Sequence, residues 1–323
     1  MNTYPTNTFR KGTSLFIKVL ILLCSLIFIG YKLYYSSDKN LVISMLELSD
    51  KLLIALAFCL MFLNWGIEAF KWKFLVAELE QISFKKAFQS VFSGVTVSIF
   101  MPNRMGEFAG RIFFLEDADK IKATLKNFVG SITQLLVTLL VGFGAFYFVK
   151  KNQLFNSFSN LHLTNKIIIT ILLSVVFIVV VYFLAKYLLV KWISSNAEYI
   201  NFIFKVKVRE WIFSFLLSLL RYVVFVFQYY ILLCAFGLKA DVGIIVSLIS
   251  ITYLVTSFIP SFALTEIITR GATAVYFFDS INADSTIVLA ASLFLWIINL
   301  AIPALIGGLF VWKMNFFNNH KHE

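Results

Sequence analysis

Two short stretches of this chain hold charges where charge is expensive. "MPNRMGEFAGR" places Arg104, Glu107 and Arg111 just after Pro102, and "IPSFALTEIITR" places Glu266 and Arg270 just after Pro260. In both, Glu precedes Arg by four positions, which stacks the two side chains on one face of a helix. Glu-x-x-x-Arg is common on solvated helices, where it adds a few tenths of a kcal/mol. Here the flanks are Phe, Ile, Leu and Val, and a charge at a bilayer centre costs roughly 2.5–3.5 kcal/mol on insertion scales. Arg221 stands about 15 Å into another apolar run, with Gln228 two turns further along the same face. Arg104, Arg111, Arg221 and Arg270 outnumber Glu107 and Glu266, and the planar guanidinium fork suits a phosphate. Two chemistries compete: an internal charge lock tying helices together, and a polar cavity binding an anionic head group.

The elements that carry these residues are membrane helices. The 323 residues are 60% apolar and 14% charged, with a mean hydropathy of +0.87, well outside soluble usage. Apolar runs recur from end to end, which leaves no room for an extramembrane catalytic domain. The +11 net charge is spread over short loops, so it fits membrane orientation and excludes a nucleic-acid partner. Cys24, Cys59 and Cys234 lie in apolar runs, and His162, His320 and His322 in polar ones, so neither a metal nor a disulfide is expected.

Six runs have spanning length: Ser14–Tyr31, Leu52–Phe70, Phe128–Val149, Ile167–Val190, Trp211–Phe236 and Ser285–Trp312, the last with Pro303 as a kink. The first is expected to be an uncleaved anchor, since no small-residue cleavage site follows it. Ala87–Leu115 and Val242–Ile281 are apolar but broken at Pro102 and Pro260. The stretch Met105–Leu115 reaches about 16 Å, half of a ~30 Å hydrocarbon core, so each broken segment is expected to be a re-entrant helix pair. Trp65, Trp72, Trp192 and Trp211 near run ends are expected to form an interfacial belt.

Assigning Arg10, Lys11, Lys71, Lys73, Lys120 and Lys126 among others to the inside gives the larger basic count there, so both termini are expected in the cytoplasm. The second half then repeats the first upside down. The expected fold is all-α and polytopic, with about six full spans and two re-entrant pairs in an inverted-topology repeat. Its parts are an anchor helix and outer loop over 1–51, a first repeat over 52–150, a connecting span and cytoplasmic loop over 151–210, and a second repeat over 211–323. Inverted repeats with broken helices are a transporter design, because the broken ends offer dipoles and backbone groups to a substrate.

Several features read as bland. "EDAD", Glu116–Asp119, reads as a solvated turn, Glu68 sits near the end of its run, and Gln134 lies inside one. There is no Walker motif and no Ser-His-Asp set, so no cofactor is expected and no catalytic residue is assigned.

With these residues in view, "MPNRMGEFAGRIFFL" and "FIPSFALTEIITRGATAVYFF" resemble the lysylphosphatidylglycerol synthase transmembrane family, the flippase-like membrane domain found with or without a fused synthase. Asn103 stands where that family's pattern has Gly, and Phe262 to Thr265 replace its Gly-rich run. The resemblance implies translocation of a lipid or lipid-linked head group, aminoacylated or glycan-linked forms included, across a bacterial cytoplasmic membrane. Membrane lipids are the expected partners, and a separate lipid-modifying enzyme is a further candidate. The expected substrate-binding set is Arg111, Arg270, Arg221, Glu107, Glu266, Arg104 and Gln228, with Pro102 and Pro260 as helix breaks. The alternatives are an integral-membrane transferase on lipid-linked substrates, using Glu68 or the "EDAD" loop, and a structural or assembly protein.

Overall fold

The structure is a computed structural model, and it describes residues 49–99, 106–151, 198–199, 202, 205–259 and 263–313. The expected spans Ser14–Tyr31 and Ile167–Val190, and with them Pro102, Arg104, Pro260 and Trp192, lie outside the described residues.

The described chain is helical. Helix α1 (Lys51–Val76) is followed by a hairpin of α2 (Phe84–Ser98) and α3 (Gly106–Ile112), then by the long α4 (Lys120–Lys151). Helix α5 (Val208–Ala235) is followed by α6 (Val242–Ser257) and α7 (Ala263–Phe278), a 3-10 turn (Asp279–Ile281), and α8 (Ser285–Trp296). A π-helical turn (Ile297–Ala301) joins α8 to α9 (Ile302–Lys313). Helices α1, α4, α5 and the composite Ser285–Trp312 are long and apolar enough to cross a membrane. The chain is therefore a multi-pass membrane protein.

Starts and stops follow local chemistry. Asp50, Ser83, Asp119, Asp241 and Asp284 each accept an N–H from the first turn of the helix they precede. Helix α5 ends in a Schellman arrangement, with Leu238 N–H donating to Leu233 O, and Gly237 at φ 96° makes the turn that a Cβ would resist. The expected kink at Pro303 takes the form of the π turn just before it. Pro303 has no N–H for the carbonyl of Asn299, and widening the preceding turn absorbs that missing bond.

Each broken segment folds back on itself. Helix α3 lies against α2 at backbone contact: a Cβ on Gly110 would sit 2.4 Å from the Cα of Gly94. On the other side of α2, a Cβ on Gly307 would sit 2.0 Å from the carbonyl oxygen of Phe92. Thr96 Oγ1 crosses the same contact to donate to Ala304 O at 2.6 Å. Helix α3 is shorter than the expected Met105–Leu115, because the chain turns at Phe113 and Phe114 toward the cap of α4. Helix α6 packs on α4 much as α2 packs on α9, and α1 and α5 pack on each other.

Two expectations fail. Trp65 and Trp72 are buried in the core and form no interfacial belt. Lys71 and Lys126, assigned to loops, are buried inside α1 and α4. At Lys71, Trp72 and Lys126 the helix runs past the end of its apolar stretch and protein encloses the extension, whereas Trp65 lies within its run and is buried by helix packing.

Candidate functional site

A cavity of about 230 Å³ lies among α1, α4, α5, α6, α7 and the π turn. Its charged lining residues are Arg221, Glu266 and Arg270. Arg221 projects from α5 with its guanidinium 5.0 Å from the ring centre of Trp65, and Arg270 projects from α7 over Tyr253 at 5.5 Å. The aromatic faces hold each cation's direction and leave its N–H edge to polar partners. Arg270 keeps its helical partner, with an N–H donated to Glu266 Oε1 at 2.6 Å.

Trp65 Nε1, Trp296 Nε1, Tyr253 Oη and Arg270 Nε are buried and have no hydrogen-bond partner among the described residues, and Gln134 Oε1 is an acceptor in the same condition. These atoms carry almost no accessible surface, so they stand behind the cavity wall and not on it. Two arginines against one carboxylate on the cavity wall favour an anion.

Behind Arg221 lies a buried charge cluster centred on Glu68 of α1. Its Oε1 accepts from Arg111 at 2.9 Å, and its Oε2 is paired with Lys71 at 2.8 Å and Arg221 at 3.0 Å. Arg111 also donates to Asn127 Oδ1 at 2.9 Å and to Glu107 Oε2 at 3.1 Å, so this one guanidinium ties α3 to α1 and α4. On the other flank Arg221 Nε donates to Asn64 Oδ1 at 3.0 Å, Asn64 to Asn299 Oδ1 at 3.1 Å, Asn299 to Gln228 Oε1 at 2.9 Å, and Gln228 to Ala57 O at 2.7 Å.

Of the expected site residues, the structure therefore brings Arg221, Glu266 and Arg270 to the cavity wall. Arg111 and Glu107 stand one layer away, joined to Arg221 through Glu68, and Gln228 lies at the far end of the amide chain. Of the two hairpins, the described lining residues come from the second, α6 and α7. Glu68, Lys71, Asn64 and Asn299 were not singled out from sequence as a unit. The available signal was weak: amides and charges inside otherwise apolar "FLNWGIEAFK" and "IINLAIP".

The "EDAD" turn is solvated, with Glu116 and Asp117 exposed. Glu80 accepts the backbone N–H groups of Glu116, Asp117 and Ala118, and Asp119 caps α4. Although partial burial raises the Glu80 carboxyl, the Lys86 ammonium and those three N–H groups outweigh it and hold it below the usual range. Among the described residues no group of His, Cys, Asp and Glu could hold a metal.

The family model described as the lysylphosphatidylglycerol synthase TM region matches residues 15–307. No match was found among curated proteins or among solved structures.

Proposed function

Since the chain belongs to the lysylphosphatidylglycerol synthase transmembrane family, we propose that it moves an anionic, phosphate-bearing lipid head group across the cytoplasmic membrane of a bacterium. Membership ties the chain to lipid handling, and the cavity supplies the chemistry. The observation that carries the reading is that Arg221 of α5 and Arg270 of α7 line the same cavity. At about 230 Å³ the space is below the ~300–1,000 Å³ of drug-sized pockets, so it takes a head group and leaves the acyl chains outside.

The packing supports an inverted repeat of α1–α4 and α5–α9. Exchanging the two sets converts the α2 contact with α9 into the α6 contact with α4, and returns the α1–α5 contact to itself. In this reading both hairpins are re-entrant, and both termini are cytoplasmic. The first hairpin is held by Glu107, Arg111 and Glu68, and the second presents Arg270 to the substrate. We assign the chain no reaction of its own. A lipid-modifying enzyme that makes the head group is the natural partner.

The test is translocation of a fluorescent phosphatidylglycerol in proteoliposomes. Arg270→Gln and Arg221→Gln should each lower the rate at least about tenfold, the scale of one lost charge-assisted contact of 1.5–3 kcal/mol. Unchanged rates in folded variants would refute the assignment.

A further inference from the structure

Polar groups line the interface of α1, α4 and α5 from the cavity to one end of the bundle. At the cavity, Arg221 pairs with Glu68, and Glu68 with Lys71. Lys71 donates to Ser218 Oγ at 3.3 Å and to Gly130 O at 3.4 Å. Thr133 Oγ1 donates to the same carbonyl and stands 2.9 Å from Ser214 Oγ and 3.1 Å from Ser218 Oγ. Glu210, Ser214 and Ser218 recur at four-residue spacing, so they share one face of α5. Where α1 finishes and α4 and α5 begin, Lys126 of α4 pairs with Glu210 of α5 at 2.5 Å and with Glu78, just past α1, at 3.1 Å. Glu78 is partly exposed and pairs also with the exposed Lys207, and the ring of Phe202 lies 5.4 Å from Lys126 Nζ. Glu68, Lys71, Thr133, Ser218, Ser214, Glu210 and Lys126 are all buried.

For an interface that never opens, this is a poor choice of residues. Ion pairs buried permanently add little, and well-packed apolar side chains in their place hold helices at least as well. A seam that parts and admits water has the opposite requirement. Apolar faces would lose their burial, whereas Ser, Thr, Lys and Glu exchange one set of hydrogen bonds for another. The same three helices carry cavity residues: Trp65 on α1, Gln134 on α4 and Arg221 on α5. Parting them at Lys126 therefore opens the cavity toward that end of the bundle.

From this geometry, resting on the transport reading above, we infer that the seam between α1, α4 and α5 is a closed half of the head group's route, and that Lys126 with Glu78 and Glu210 is the latch that holds it shut. One ammonium serves both carboxylates, so its release frees α4 from α1 and from α5 together. Ser214, Ser218 and Thr133 then offer hydroxyls to a phosphate-bearing head group on its way to or from Arg221. Leu75 of α1, whose Cδ1 a Cβ on Gly130 would meet at 3.1 Å, is an apolar side chain that moves aside. While the latch is closed, Phe202 keeps water from the ammonium and so strengthens its pairs.

The experiment uses the full chain with Cys24, Cys59 and Cys234 replaced by Ser and with Lys126→Cys/Glu210→Cys, in phosphatidylcholine vesicles containing a fluorescent phosphatidylglycerol. A short bifunctional thiol reagent with a cleavable disulfide ties α4 to α5 at the latch. Such a tie substitutes for a contact that only holds the fold, but it locks a contact that has to open. Translocation should fall in proportion to the fraction cross-linked and return on reduction, while wild type with the three Cys→Ser changes alone ignores the reagent. A cross-linked protein that moves label as fast as before cross-linking would overturn the latch and leave lipid transport standing. A wild type that moves no label would refute the transport reading, and the latch with it. If the first pair does not fold, cross-link or move label untied, Thr133→Cys/Ser214→Cys ties the same two helices one level further in, and the same outcomes apply.

Discussion

Replacing Glu68 by Gln should unfold the bundle at markedly lower temperature, and the structure sets the scale. One buried carboxylate, 4% exposed, serves three cations at 2.8–3.0 Å on three helices. Gln keeps the shape but turns an N–H₂ toward at least one of them. Removing one partner of a buried pair costs about 3–5 kcal/mol, because a desolvated charge is left behind. The three pairs share a single carboxylate, so their energies do not add, and the same range serves as the total. At about 2 °C per kcal/mol for a chain of this size, the midpoint of thermal unfolding in detergent should fall by roughly 6–10 °C. The companion Glu68→Gln/Arg111→Gln should lose less than the sum of the two single variants, with a coupling of roughly 0.5–3 kcal/mol, since the second change removes a cation that the first left uncompensated. A Glu68→Gln midpoint within about 1 °C of wild type, or strict additivity in the cycle, would refute the charge hub.

Two further outcomes follow from backbone contact and from surface charge. Gly307→Ala and Gly110→Ala drive a methyl into backbone at 2.0 and 2.4 Å, so each should lower the unfolding midpoint by several degrees. Gly144→Ala, with nothing within 4 Å of the added Cβ, should be neutral or raise stability by up to about 1 kcal/mol of helix propensity; the reverse order would mean that α2 is not pinched between α3 and α9. Hydrogen bonds from Lys207 and then Lys126 hold the Glu78 carboxyl at about 2, so its stabilisation is complete above the ordinary value near 4.5 and disappears as pH falls toward 2. The midpoint of wild type should drop across that window relative to Glu78→Gln, and parallel pH profiles would show that Glu78 contributes nothing.

Hydropathy made the spans legible because a lipid-facing helix must be apolar along its length, and α1, α4, α5 and Ser285–Trp312 cover the expected runs to within one residue, α5 stopping at Ala235. It also exposed Arg111, Arg221, Arg270, Glu107 and Glu266, whose charge stands out against such runs. The extensions beyond those runs were not legible. Helix α1 continues six residues past Phe70 to Val76, and those turns carry Lys71 and Trp72 into protein rather than into head groups. A window average sees Lys71 as the start of a loop, whereas the partner that makes its burial tolerable is Glu68, three residues back. Asn64 and Asn299 were hidden for a different reason. Each is one amide in an apolar run, and what gives them meaning is their mutual bond across 235 positions.

That bond explains why charge can be kept at this depth at all. An isolated arginine in the span would be driven to snorkel. Arg221 is instead held by Trp65 on its face, Asn64 at Nε and Glu68 at one terminal nitrogen. The amide chain then fixes Asn64 through Asn299, whose own position is set by the π turn that Pro303 makes necessary. A proline in the last span thus bears on an arginine in the fifth helix. Pro303→Ala restores the N–H that the Asn299 carbonyl lacks and removes the reason for the wide turn, so Asn299 should turn from Asn64 and head-group translocation should fall; a rate equal to wild type would refute the link. Arg221 then keeps its charge but loses its aim. The arrangement that lets it bind is therefore distributed over α1, α5 and α8–α9, while the charge itself belongs to α5 alone.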